Sequence, residues 1–95
     1  MSNIYETPNI IGVKALDNYL IYLKYETNEE KVYDMKALIS KNKFYNKLRD
    51  KKYFKLVKPR GDSIEWIEGE DVSPESLYYQ SINLKEYTEE IKELD

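Results

Sequence analysis

The chain has 95 residues, a net charge of −3 and 41% hydrophobic residues, which suits one small domain with a modest core. It has no cysteine and no histidine; this excludes disulfides, thiolate catalysis and thiolate zinc sites, and removes the commonest general base and transition-metal ligand. No apolar run approaches the roughly 20 residues of a membrane span, and the polar opening MSNIYETPN lacks the basic-then-apolar order of a signal peptide, so a cytoplasmic protein without a membrane segment is expected.

In chain order, residues 10–16 read as a strand after Pro8, and Asp17-Asn18 is a turn signal. Residues 19–25, YLIYLKY, form a second strand that is apolar on both faces until Lys24, with Ile21, Leu23 and Tyr25 on the better-buried side. Residues 26–29 are polar enough to turn the chain into a third strand over 31–34, which makes an antiparallel meander. Asp34 is a candidate N-cap for the helix that follows. Phe44 and Leu48, four apart, predict one side of a short helix ending near Asp50. Residues 53–57 read as a fourth strand, Arg60-Gly61-Asp62 as a tight turn, and residues 63–67 as a fifth strand. Ser73 caps a helix that begins with Pro74. In NLKEYTEEIKELD, Asn83 and Glu86 have capping-box spacing, and Leu84, Tyr87, Ile91 and Leu94 make one narrow apolar stripe. The expected fold is α+β: a small antiparallel sheet (a three-stranded meander plus a hairpin) with short helices and a C-terminal helix. Residues 1–82 form the domain; residues 83–95 form an acidic amphipathic helix that docks on it or on a partner.

Charge is unevenly placed. Residues 41–60 carry nine basic side chains and one acidic, and residues 61–95 carry two basic and eleven acidic. The bland reading sets these blocks side by side, screening each other; the functional reading makes either one a contact surface. Among the acidic residues, Glu65, Glu68, Glu70, Asp71 and Glu75 lack the regular spacing of a calcium loop, so a solvated strand end is favoured and no metal or cofactor is expected. In the basic block, Lys41, Lys43, Lys47, Arg49, Lys51 and Lys52 interleave with aromatics as in some nucleic-acid binders. The competing reading makes Phe44, Leu48, Phe54 and Leu56 core residues of a helix and a strand, with the lysines as their exposed complement. The Arg-Gly-Asp tripeptide at 60–62 is explained by turn conformation alone. No serine has an activating histidine or lies in a G-x-S-x-G elbow, and the glycines at 12, 61 and 69 make no phosphate-binding loop. An enzyme is not expected.

One pattern is more specific. Trp66, Gly69, Asp71, Pro74, Leu77 and Tyr78 spell W-x-x-G-x-D-x-x-P-x-x-L-Y without a gap. With the preceding order of strands and turns, the chain over about residues 8–80 resembles the small prokaryotic domain-of-unknown-function family 2442. It departs from that family at Ile67, where proline often follows the tryptophan, and at residues 26–29, where a glycine is usual; asparagine can supply the positive backbone angle there. The resemblance implies a compact α+β domain without known enzymatic activity, in which these six residues are a structural signature. Some relatives carry an appended helix-turn-helix and look like regulators; others are encoded beside a small basic protein and are regarded as antitoxin-like.

The first functional expectation is therefore a non-enzymatic protein-binding module, an antitoxin-like or regulatory partner of a basic protein. It would bind through Leu84, Tyr87, Ile91 and Leu94 with Glu89 and Glu90. A phage or mobile-element inhibitor of a host nucleic-acid-binding enzyme is an alternative with the same acidic chemistry. Nucleic-acid binding through residues 41–60 is a second alternative, disfavoured by the pI of about 5.1. A free strand edge and ten tyrosines would also suit a homodimer.

Overall fold

A computed structural model describes residues 6–88 of the chain. Strands β1 (Ile10–Ala15), β2 (Leu20–Tyr25) and β3 (Glu30–Asp34) form the expected antiparallel meander. A two-residue strand late in the chain, Ile82–Asn83, extends it to four strands by pairing with Val32 and Lys31. The hairpin is a separate two-stranded sheet, β4 (Lys58–Arg60) and β5 (Ser63–Glu65), turned at Gly61. Helix α1 (Lys36–Lys41) follows β3, and the Asp34 carboxylate accepts the Lys36 N–H at 2.9 Å. Met35 holds the N-cap position itself, so Asp34 acts from one residue before it. Ser73 caps α3 (Pro74–Tyr79), with Pro74 at its start. The fold is α+β, with short helices beside the sheet and hairpin, and residues 84–88 begin a C-terminal helix.

Alternation along β2 sends Ile21, Leu23 and Tyr25 into the core, where each is fully buried. They join Tyr33, Met35, Ile39, Leu48, Phe54, Ile64, Trp66 and Leu77 in one cluster. Val32 is also buried, at 4% exposure, but lies outside that cluster on the opposite face of the sheet, opposite Tyr22 and Ile82. The turn after β2 contains Asn28 at φ 75°, the left-handed angle that asparagine accepts more readily than most residues.

Two expectations are corrected between residues 43 and 57. The segment Lys43–Arg49 is a 3₁₀ helix, not an α-helix. At about three residues per turn, positions three apart share a face. Tyr45 and Leu48 are therefore buried together, and Phe44 is turned outward at 53% exposure. Residues 53–57 are not a strand: helix α2 (Lys51–Phe54) occupies the first two of them. The Asp50 carboxylate accepts the Lys52 N–H at 2.9 Å, and its carbonyl accepts the Phe54 N–H at 2.9 Å, so cap chemistry wins over the β-propensity of YFKLV. Tyr53 and Phe54, adjacent in sequence, are both buried, which a strand's alternation would not allow on a single core face. Leu56, also read as a core residue, lies in the turn after α2 and is 45% exposed.

Candidate interaction surfaces

The stretch 63–78 is built as a structural joint. Trp66 is 2% exposed, its indole N–H donates to the Phe54 carbonyl at 2.9 Å, and its ring stacks on Phe54 at 5.8 Å. A closed turn follows: the Gly69 N–H donates to the Trp66 carbonyl and the Trp66 N–H to the Glu70 carbonyl, at 3.0 and 2.9 Å. Gly69 sits at φ 100°, where a side chain would be strained. Asp71 bridges to Glu65, and its carbonyl accepts the Tyr45 hydroxyl at 2.8 Å. Leu77 is buried, and the Tyr78 ring meets Tyr25 edge-on at 5.0 Å.

The carboxylates of this stretch serve separate contacts. Glu65 pairs with Arg60 at 3.3 Å, Glu68 pairs with Lys47, and Glu75 accepts the Ser73 hydroxyl at 3.0 Å. Glu70 is buried and accepts the Tyr53 hydroxyl at 2.6 Å. The same phenol oxygen accepts the Glu68 N–H at 2.9 Å. Burial, then the bond to Glu70 and its charge, push the Tyr53 phenol up to about 12. Among the described residues no three acidic side chains are grouped to hold a metal ion.

The six cations Lys41, Lys43, Lys47, Arg49, Lys51 and Lys52 are all exposed. Lys47 is engaged by Glu68 and sits 5.0 Å from the Tyr53 ring centre. Arg49 is structural, bonded to Asn46 at 3.0 Å and to the Ile39 carbonyl at 3.3 Å. The two charge blocks thus meet at Lys47–Glu68 and Arg60–Glu65. The ammonium groups of Lys41, Lys43, Lys51 and Lys52 have no such partner among the described residues. Exposed Phe44 lies within this basic segment.

The last described elements form a second apolar surface. Ile82 lies against Val32 on the outer face of the sheet. In the helical residues 84–88, Leu84 and Tyr87 are half-buried. Tyr87 lines a cleft of about 330 Å³ with Leu20, Val32 and Ile82, and Leu84 lines a neighbouring one with Glu30 and Thr88. Ile91, Leu94, Glu89 and Glu90 lie outside the described residues. The sequence reading named Leu84 and Tyr87 but not the sheet residues beside them, although their signal was visible: YLIYLKY is apolar at alternate positions on both sides, so Leu20 and Tyr22 need cover as well as Ile21 and Leu23.

A family model described as "Protein of unknown function (DUF2442)" matches residues 10–83. No curated protein and no solved structure matches the chain.

Proposed function

The chain belongs to this family of proteins of unknown function (DUF2442), and from that premise we propose that it is a non-enzymatic protein-binding module, a regulatory or antitoxin-like partner of a basic protein. The observation that carries the reading is the second apolar face of the sheet, where Val32 is already covered but Leu20, Tyr22, Ile82, Leu84 and Tyr87 around it are only half-buried. A sheet normally needs one buried face. A second apolar one, edged by a helix that starts beside it, is a composite groove suited to a partner's apolar side chains. The charge of the segment fits a basic partner: residues 84–95 carry five acidic and two basic side chains, a net of −3. Such charge raises the rate of encounter with a cationic surface and selects against acidic partners.

The test is an isothermal titration of the full chain with the protein that the gene next to its own encodes, repeated with Leu84→Asp and Tyr87→Asp. Each substitution should weaken binding by about tenfold or more, as expected for a contact of about 1.4 kcal/mol or greater. Unchanged affinity in both variants would reject this surface, and no binding by the parent chain would reject the partner class.

A second reading has its own observation. Phe44 is a solvent-facing ring in a segment rich in lysines that have no partner among the described residues, the combination used to stack and neutralise single-stranded nucleic acid. Fluorescence titration with a labelled oligonucleotide at two salt concentrations decides it, because phosphate contacts make affinity fall steeply with salt.

A further inference from the structure

The geometry points to a second contact site on the same module, a socket for one arginine or lysine side chain of the partner, formed where the segment before β1 meets the turn after β2 and the end of α3. This deepens the protein-binding reading and rests on it. The cleft has a volume of about 560 Å³ and is lined by Glu6, Pro8, Glu26, Thr27, Tyr78 and Tyr79, among others; none of its lining residues is a lysine or arginine. Its walls are fixed by bonds between distant parts of the chain. The Glu26 N–H donates to the Asn9 carbonyl at 2.9 Å, and the buried Thr7 hydroxyl donates to Asp62 at 2.8 Å. The Tyr78 hydroxyl donates to Glu29 at 2.6 Å, and its ring is wedged against Tyr25.

Two features select a cation. The Lys31 ammonium sits 4.7 Å from the centre of the Tyr78 ring, so that ring already holds a cation and Tyr79 is the one left for a partner's. The adjacent Tyr79 ring stands edge-on to Tyr78 at 5.1 Å and is 60% exposed, which leaves it open to an incoming group. The Glu26 carboxylate makes no hydrogen bond or ion pair among the described residues and lies on the same cleft. An open aromatic ring and an unengaged carboxylate lining one cleft match the planar, weakly hydrated guanidinium group best, with the ammonium of lysine second. The apolar groove around Val32 would hold the partner's aliphatic side chains, and this socket would fix its register.

The experiment is a two-dimensional NMR titration of the full chain with the blocked tripeptide acetyl-Gly-Arg-Gly-amide, with the citrulline tripeptide as the uncharged isostere. The arginine peptide should produce saturable shifts at Glu26, Thr27, Tyr78 and Tyr79, and the citrulline peptide should not. Tyr79→Ala and Glu26→Gln should each weaken the arginine peptide by about fivefold or more. Absence of saturable shifts, equal response to citrulline, or indifference to both substitutions overturns the socket. Titrating the basic partner protein with the same two variants separates this failure from failure of the parent reading. Partner binding that survives both substitutions unchanged sinks the socket alone, whereas a partner that never binds the parent chain sinks the module reading whatever the peptide does.

Discussion

Tyr53 illustrates how much one side chain can hold in so small a core. Its hydroxyl donates to the buried Glu70 carboxylate and accepts the Glu68 N–H, and its ring belongs to the same buried cluster as Trp66 and Phe54. A buried carboxylate that loses its donor bears the cost of desolvation unrelieved. Tyr53→Phe should therefore destabilise the fold by about 1–3 kcal/mol in urea unfolding at neutral pH, more than a typical exposed hydroxyl would cost. Glu70→Gln, whose amide oxygen can still accept, should cost less, which would place the penalty on the stranded charge. Trp66 works on the same scale: its indole N–H ties the hairpin to the end of α2, so the tryptophan that opens the W-x-x-G-x-D-x-x-P-x-x-L-Y pattern is an internal fastener.

Elements are where local chemistry and packing compete most visibly. The stretch KFYNKLR carries apolar side chains at spacings of three and four, and the backbone settles on the 3₁₀ geometry that aligns Tyr45 with Leu48. The consequence is measurable. Leu48→Ala should cost about 2–5 kcal/mol, as for other fully buried leucines, whereas Phe44→Ala should stay within about 0.5 kcal/mol. Equal losses in chemical denaturation would restore the α-helical reading of this segment. The same competition explains α2. Asp50 as a cap, together with the core's demand for both Tyr53 and Phe54, converts an apparent strand into a turn of helix.

At the scale of the whole molecule, contacts distant in sequence join the sheet to the helices. Tyr78 on α3 and Glu29 in the turn after β2 are 49 positions apart and share a hydrogen bond of 2.6 Å. That bond, with a second from Thr27, holds the Glu29 carboxyl below its ordinary value, and it pushes the Tyr78 phenol up to about 12. A lowered carboxyl favours the fold above its unfolded value of 4.5, and that contribution is lost as pH falls through the folded value. A raised phenol favours the fold below its unfolded value of 10.0, and that contribution is lost as pH rises through about 12. The stability difference between the parent chain and Tyr78→Phe should thus be flat between these limits and shrink at both ends, read from urea midpoints across pH. A difference independent of pH would show that the bond contributes nothing to the linkage. The sequence by itself determined the meander, the left-handed Asn28, the hairpin at Gly61, the Ser73-Pro74 helix start and the burial of Trp66. The turns and the helix start follow from backbone restriction and short-range hydrogen bonding that residues carry with them, the meander from strand-forming apolar runs between those turns, and the inward place of Trp66 from its large apolar ring. Only the tertiary structure decided which faces are buried between residues 43 and 57, that Ile82–Asn83 completes the sheet, and that Val32 lies on a second apolar face. The physical reason is that burial depends on what the rest of the chain places opposite a residue, and periodicity alone does not encode that.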